Sequence, residues 1–381
     1  MSGIRVVDFT QVLSGPFATM LLADAGAEVI KVERPIQGDP TRQWGPPFIQ
    51  GESLYFASFN RGKKSVVLDL HQPGDRARAQ RLALAADVVV ENFRPGWMSQ
   101  AGLDAGTLCA ANPRLIYCEI KGYRRDGAMA RRPAVEVTLE AQSGLMDITG
   151  SRERPEPVRQ GVAAIDMMTG VLAVAGIFSA LYRREQTGRG DRVAVSLEET
   201  AGLMMTHPWL MYVVAGAEYP RSGSAHPSIA PYEAFATADR PIIIGAIDDG
   251  QFRRLAEALE EPLWAEREAW RTNAARVKDR AALKEALEQK LRTHPASYWE
   301  TVLTPLGLLA AEVQSVAEAA RRWHEGASPK LTATHARLGD LAWPTSPGRA
   351  EGGPVLPPPL LDEHREDVRP LWQNSADRSD L

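Results

Sequence analysis

The chain has 381 residues, with 44 lysines and arginines against 48 aspartates and glutamates and a formal net charge of -4. That length supplies two domains with a core each, and the charge balance excludes a protein held to nucleic acid or to an anionic membrane by bulk charge. Two cysteines without metal-ligand spacing, and a start MSGIRVVDFT that lacks the basic-then-apolar pattern of a secretory signal, point to a reducing cytoplasm.

Taken in chain order, IRVVDF reads as a buried strand, TQVLSG as a loop, PFATMLLADA as a helix closed by Gly26, and AEVIKVE as a second strand. Strand SVVLDL, helix GDRARAQRLALAA, strand DVVVENF, a short helix near LDAGTLCAAN and strand LIYCEIKGY continue the alternation. Nearly continuous apolar strands separated by helices predict an α/β fold with a parallel sheet covered on both faces.

Next comes a long apolar helix that begins near Asp166 and ends at Arg183, Arg184 and Gly188, followed by strand DRVAVSL and a Met-rich helix, EETAGLMMTHPWLMYVV, with Met204, Met205 and Met211 assigned to core packing. The apolar stretch VLAVAGIFSAL falls short of the roughly 20 residues that cross a bilayer, so it reads as a core helix rather than a membrane span.

The Gly, Pro and Ser-rich passage GAEYPRSGSAHPSIAP reads as a link to a smaller α+β domain built from YEAFAT, RPIIIGAI and charged helices. The last part, with Pro344, Pro347, Pro354 and the prolines 357–359, reads as extended chain. The expected boundaries are 1–200 for the large domain, 201–228 for a linker, 229–318 for the small domain, and 319–381 for a second linker returning to the large domain.

Ligands of open α/β sheets collect at the carboxyl ends of strands. Lys31, Arg34, Arg61, Lys63, Lys64, Arg94 and Lys121 lie in or beside those loops, which makes a phosphorylated ligand the candidate. There is no G-x-G-x-x-G turn, no P-loop, no H-E-x-x-H and no G-x-S-x-G elbow, so dinucleotide, P-loop, zinc and serine-hydrolase chemistry find no motif. No metal site and no permanently bound cofactor are expected. Asp166 lies at the positive end of a helix dipole, which favours the ionised carboxylate, the only form able to attack an acyl carbon. The plain alternative is that its side chain caps the helix.

These residues, in this order, resemble the family III CoA-transferases, the CaiB/BaiF group. The carriers are GIRVVDFTQVLSGPFATMLLADAGAEVIKVERPIQGDPTR, NRGKKSVVLDL, ENFRPG, the Asp166 helix with TGRGDRVAVSL, GSAHPSIAPYEAFATAD and PPPLLDEH, which together span nearly the whole chain.

The resemblance implies a Rossmann-like large domain and a small domain joined by two long linkers, in an interlocked homodimer. It implies coenzyme A and acyl-CoA as substrates beside a free carboxylic acid, and Asp166 as a nucleophile that carries CoA as an aspartyl thioester. Val12, Leu13, Ser14, Arg34, Leu68, Asn92, Phe93 and Lys121 match CoA contacts, while His71 and Gln100 stand where some members carry Lys or Arg, and Arg94 is the compensating cation.

Glu136 is a candidate substrate residue, and Arg124, Arg125, Arg131 and Arg132 before it are either solvated surface charges or face a dicarboxylic acyl group such as succinyl. The rival readings are an α-methylacyl-CoA racemase, which pairs a His with an Asp and here finds Glu136 and no histidine, and a CoA-binding protein without turnover.

Overall fold

The computed structural model describes residues 1–151, 153–154, 156–347, 349 and 355–373; Pro354 lies outside them. Six parallel strands form the main sheet: β1 (Arg5–Asp8), β2 (Glu28–Glu33), β3 (Lys63–Val67), β4 (Val88–Glu91), β5 (Ile116–Lys121) and β6 (Arg192–Ser196). Their spatial order is β3-β2-β1-β4-β5-β6, the doubly wound arrangement that collects ligands where the order reverses beside β1. Val7, Ile30, Val66, Val89 and Tyr117 fill one face of the sheet together with Leu82, Leu103 and Leu108.

Helix α1 (Ser14–Asp24) leads from β1, α2 (Pro73–Leu84) from β3 and α3 (Ala105–Ala111) towards β5. Between β5 and β6 lie α4 (Glu136–Ser143) and the 24-residue α5 (Ala164–Thr187). Gly188 ends α5 at a φ of 70°, the left-handed stop expected there. By length and hydropathy α5 is able to cross a bilayer. One face of it is core, where Ile165, Ala173, Ile177 and Ala180 are fully buried.

The Met-rich segment is two helices, α6 (Leu197–Met204) and α7 (Thr206–Ala215), and not one. Of its methionines 204, 205 and 211 only Met205 is buried, and α7 buries no residue at all. The apolar composition that reads as core therefore makes an exposed face here, with Leu210, Tyr212, Val213 and Val214 all more than half exposed.

Two compact units emerge: one comprises Met1–Ser143, Gln160–His207 and the described residues from Pro329 onward, the other Gly144–Arg159 and Pro208–Ser328. The second unit holds an antiparallel sheet of β7 (Tyr232–Phe235), β8 (Ile242–Gly245) and β9 (Leu309–Glu312), ordered β9-β8-β7. Its core joins Phe235, Ile242 and Ile244 to Phe252, Leu283, Leu287 and Trp299 from helices α8 (Asp249–Ala258), α9 (Arg280–Leu291) and α10 (Ala296–Leu303). Gly144–Arg159 groups with it because the Arg221 guanidinium donates to the carbonyls of Met146, Asp147, Arg154 and Glu156, an arrangement with no signal in local sequence.

The passage expected to be extended is partly regular. It contains a hairpin, β10 (Lys330–His335) with β11 (Gly339–Pro344), and helix α12 (Arg365–Gln373). Between them the chain runs beside edge strand β3: the amides of Ser65 and Val67 donate to the side chains of His364 and Asp362, and the His364 amide donates to the Ser65 carbonyl. That cover satisfies the edge of the main sheet.

Candidate active site

The site builds from the first βα turn outward. Gly15 lies so close to Thr10 that a Cβ there would stand 2.3 Å from the threonine Cβ, so the first turn of α1 folds back onto the end of β1. Val12 takes a φ of 70°, a conformation that costs a β-branched residue on the order of 1–3 kcal/mol and that persists where the surroundings over-determine it. Those surroundings are identifiable. The Val12 amide donates to Asp39 Oδ1 at 3.3 Å, and the Gln11 amide and carbonyl are matched by Asn92 Oδ1 and Nδ2 at 2.8 and 2.7 Å. Leu13 and Ser14 follow, both largely buried, at the start of α1.

Helix α5 packs on α1 through Gly170, where a Cβ would stand 2.7 Å from the Ser14 carbonyl oxygen. This close approach brings the first turn of α5, with Asp166 at its third position, beside the first turn of α1. Asp166 is half-buried. The capping of α5 is done by Glu136, whose Oε1 and Oε2 accept from the amides of Ile165 at 3.0 Å and Asp166 at 2.7 Å. Sequence reasoning that offered Asp166 as the cap missed this, because the capping carboxylate lies 30 residues upstream on α4.

At the ends of β4 and β5, Lys121 Nζ is paired with Glu91 Oε1 and also donates to the Phe93 carbonyl at 2.8 Å. Burial pushes the Glu91 carboxyl above its ordinary range, and Lys121 only partly offsets this. Phe93 stacks on Trp97 with ring centroids 4.3 Å apart, and Arg94 lies on the exposed turn between them. Arg34 is exposed at the end of β2 and donates Nε to the Gly38 carbonyl. Leu68, at 1 % exposure, sits inside the core.

Four of the seven cations read as ligand-facing are committed elsewhere. Lys31 pairs with Asp39 at 3.0 Å, Arg61 with Asp24 at 2.6 Å, Lys63 with Asp8 at 3.1 Å and Lys64 with Glu28 at 2.8 Å. Lys63 and Lys64 open β3 and so stand at its amino end. Lys31 and Lys63 are fully buried. Burial lowers the Lys63 pKa to about 8 against the opposing pull of Asp8; Asp8, though burial raises it, is held at about 2 by Lys63 and Lys31. Arg34, Arg94 and Lys121 remain at the ligand end of the sheet. His226 accepts at Nδ1 from the Ser228 amide and stacks on Tyr232.

A family model described as CoA-transferase family III matches residues 1–365. The succinyl-CoA:glutarate CoA-transferase of Mus musculus is 37 % identical over 374 residues, 97 % of this chain and 85 % of that protein. The acetyl-CoA:oxalate CoA-transferase of Acetobacter aceti is 37 % identical over 371 residues, 96 % of this chain and 94 % of that one. A crystal structure of a CAIB/BAIF family protein from Brucella suis superposes with a TM-score of 0.86 at 35 % identity, covering 97 % of this chain and 98 % of the other.

Proposed function

Because the chain belongs to CoA-transferase family III, we propose that it transfers coenzyme A between carboxylic acids through a covalent intermediate on Asp166. The observation that carries this is the place of Asp166 in the first turn of α5, half-buried, with the backbone amides of that turn already capped by Glu136.

An Asp166 oxygen attacks the thioester carbon and the C–S bond breaks, giving a mixed anhydride and CoA thiolate. The thiolate attacks the Asp166 carbonyl of the anhydride, which releases the donor acid as a carboxylate and leaves an aspartyl-CoA thioester. The acceptor carboxylate then attacks that thioester, and the expelled thiolate takes the new acyl group and restores the Asp166 carboxylate. Each step exchanges one carboxylate for one thiolate, so no proton, metal or redox group enters the balance, and exclusion of water keeps the activated acyl group.

Val12, Leu13, Ser14, Arg34, Asn92, Phe93, Arg94 and Lys121 are the proposed CoA contacts. Glu136 fixes the Asp166 turn next to the acyl group. The acceptor acid is a dicarboxylate: relatives are named for glutarate, mesaconate and D-citramalate with succinyl-CoA as donor, and for oxalate with acetyl-CoA. Of the four arginines before Glu136, Arg124 is paired with Asp126 and Arg125 with Glu119, while Arg131 and Arg132 lie exposed.

The protein works as an interlocked homodimer in the cytoplasm. An exposed apolar stripe of Met168, Val171, Phe178 and Tyr182 on α5 supports burial against a second copy.

The test is incubation with succinyl-CoA followed by mass analysis and hydroxylamine treatment. A CoA adduct on Asp166, absent from Asp166→Ala together with CoA exchange, is expected. Exchange retained by Asp166→Ala would remove the nucleophile; solvent deuterium at the acyl α-carbon would mark a racemase, and CoA binding without an adduct a binder. A panel of mono- and dicarboxylate acceptors decides the acid class, and sedimentation decides the dimer.

A further inference from the structure

Lys31 and Asp39 form an ion pair at 3.0 Å in the core, 0 % and 2 % exposed, on the strand and loop next to β1. A buried ion pair is a weak device for stability, since apolar residues of similar size often serve as well. What apolar residues would not do here is reach the backbone of the strained turn. Lys31 Nζ donates to the Thr10 carbonyl at 2.8 Å, and Asp39 Oδ1 accepts from the Val12 amide at 3.3 Å. The two members thus grip the chain on either side of Gln11, which Asn92 holds from the other flank. Asp8 adds a third hold, accepting from the Thr10 amide at 2.8 Å and standing 4.0 Å from Lys31. Asp39 also closes the loop after β2, with its own amide bound to Glu33 and its Oδ1 to Thr41, so the pair ties the turn of Val12 to the loop that carries Arg34.

We propose that Lys31 and Asp39 are a positioning pair for CoA binding, acting through Thr10 and Val12 to hold Val12 in the left-handed conformation in which the Thr10–Ser14 turn meets the ligand. The proposal rests on the CoA-transferase reading for what the turn meets, though not for how the turn is held. A pair that serves only the core has no reason to be coupled to the conformation of Val12; a positioning pair becomes dispensable once that residue adopts its φ without strain, as glycine does.

The experiment is a cycle of Asp39→Asn and Val12→Gly. Amide hydrogen exchange of residues 10–14 is followed in the free protein, the Kd of free coenzyme A by calorimetry, and KM and kcat with succinyl-CoA. In the Val12 background Asp39→Asn is expected to speed exchange in the turn and to raise Kd and KM about tenfold with kcat changed less than about threefold; in the Val12→Gly background Kd should change less than about threefold. Should Asp39→Asn not fold, Asp39→Glu, which keeps the charge and displaces the carboxylate, takes its place in the cycle. Equal losses in both backgrounds, or a lower Tm with unchanged Kd and exchange, would overturn the proposal. A wild type that binds CoA and transfers none would remove the transferase reading and leave this cycle intact; with no CoA bound at all, hydrogen exchange alone still decides how the turn is held.

Discussion

Glu136 caps the helix that carries Asp166: its two carboxylate oxygens accept from the amides of Ile165 and Asp166, at 3.0 and 2.7 Å. A buried carboxylate on α4 thereby sets the orientation of the α5 first turn, and with it the direction in which the Asp166 side chain leaves the helix. Removing that cap should act on both stability and turnover. Glu136→Ala is expected to lose on the order of 1–3 kcal/mol in urea unfolding and to lower kcat more than KM, while Glu136→Gln, which keeps one of the two acceptors and turns a donor towards the other amide, recovers only part of the stability. Wild-type unfolding in Glu136→Ala would count against the cap.

Gly170 sets the distance between α1 and α5. A methyl group there meets the Ser14 carbonyl oxygen at 2.7 Å, Phe17 at 3.1 Å and the Ala18 nitrogen at 3.3 Å, and two of those atoms are backbone. Gly170→Ala should therefore destabilise by about 1–3 kcal/mol and impair transfer by moving the two helix starts apart. Gly74→Ala is the control: nothing stands within 4 Å of its Cβ and it lies in α2, so thermal unfolding should show a gain of up to about 1 kcal/mol.

Lys121 neutralises a carboxylate that is 1 % exposed. Lys121→Met leaves the buried Glu91 without its ammonium, uncompensated or forced to take up a proton, a loss on the order of 3 kcal/mol, reduced by the partial exposure of the lysine. Adding Glu91→Gln should restore most of it. If the double variant is no more stable than the single one by denaturant midpoint, the ion pair is not what holds the two strand ends together.

Asp8 predicts an acid limb. Its folded pKa, raised by burial and lowered further by Lys63 and Lys31 to about 2, lies below the unfolded value of 3.8. The folded state therefore binds fewer protons between those values, and the contribution of about 2 kcal/mol is complete above pH 3.8 and disappears as pH falls through 2. Urea midpoints measured from pH 5 to pH 2 should fall in the wild type, and fall less steeply in Asp8→Asn, which starts from lower stability at pH 7. Identical slopes would assign the acid limb to other groups.

Much of the architecture was legible in one dimension. The six parallel strands stand out because each is a short apolar run bounded by helices with Gly or Pro punctuation, and the Asp166 helix because its apolar positions recur up to the stop at Gly188, which takes the left-handed turn that residue allows. The motifs that resemble family III CoA-transferases needed only their order along the chain. Partners across distance were not legible: Lys63 finds Asp8 from 55 residues away, Asn92 finds Gln11 from 81, and Glu136 finds Asp166 from 30. Periodicity reports which face of an element is apolar and carries no information about which polar group meets it there, so cations that read alike divide into core members, such as Lys31 and Lys63, and residues at the ligand end, such as Arg34 and Arg94. The same limit explains the exposed face of α7, read as core from its composition, and the hairpin at Lys330–Pro344, read as extended from its prolines. The sequence by itself determined the order of elements and the carboxylate at the head of α5; the tertiary structure alone decided its cap, the hydrogen bonds on the Val12 turn and which cations are taken up in ion pairs, because hydrogen bonds and ion pairs form between groups that the fold brings together and the chain keeps apart.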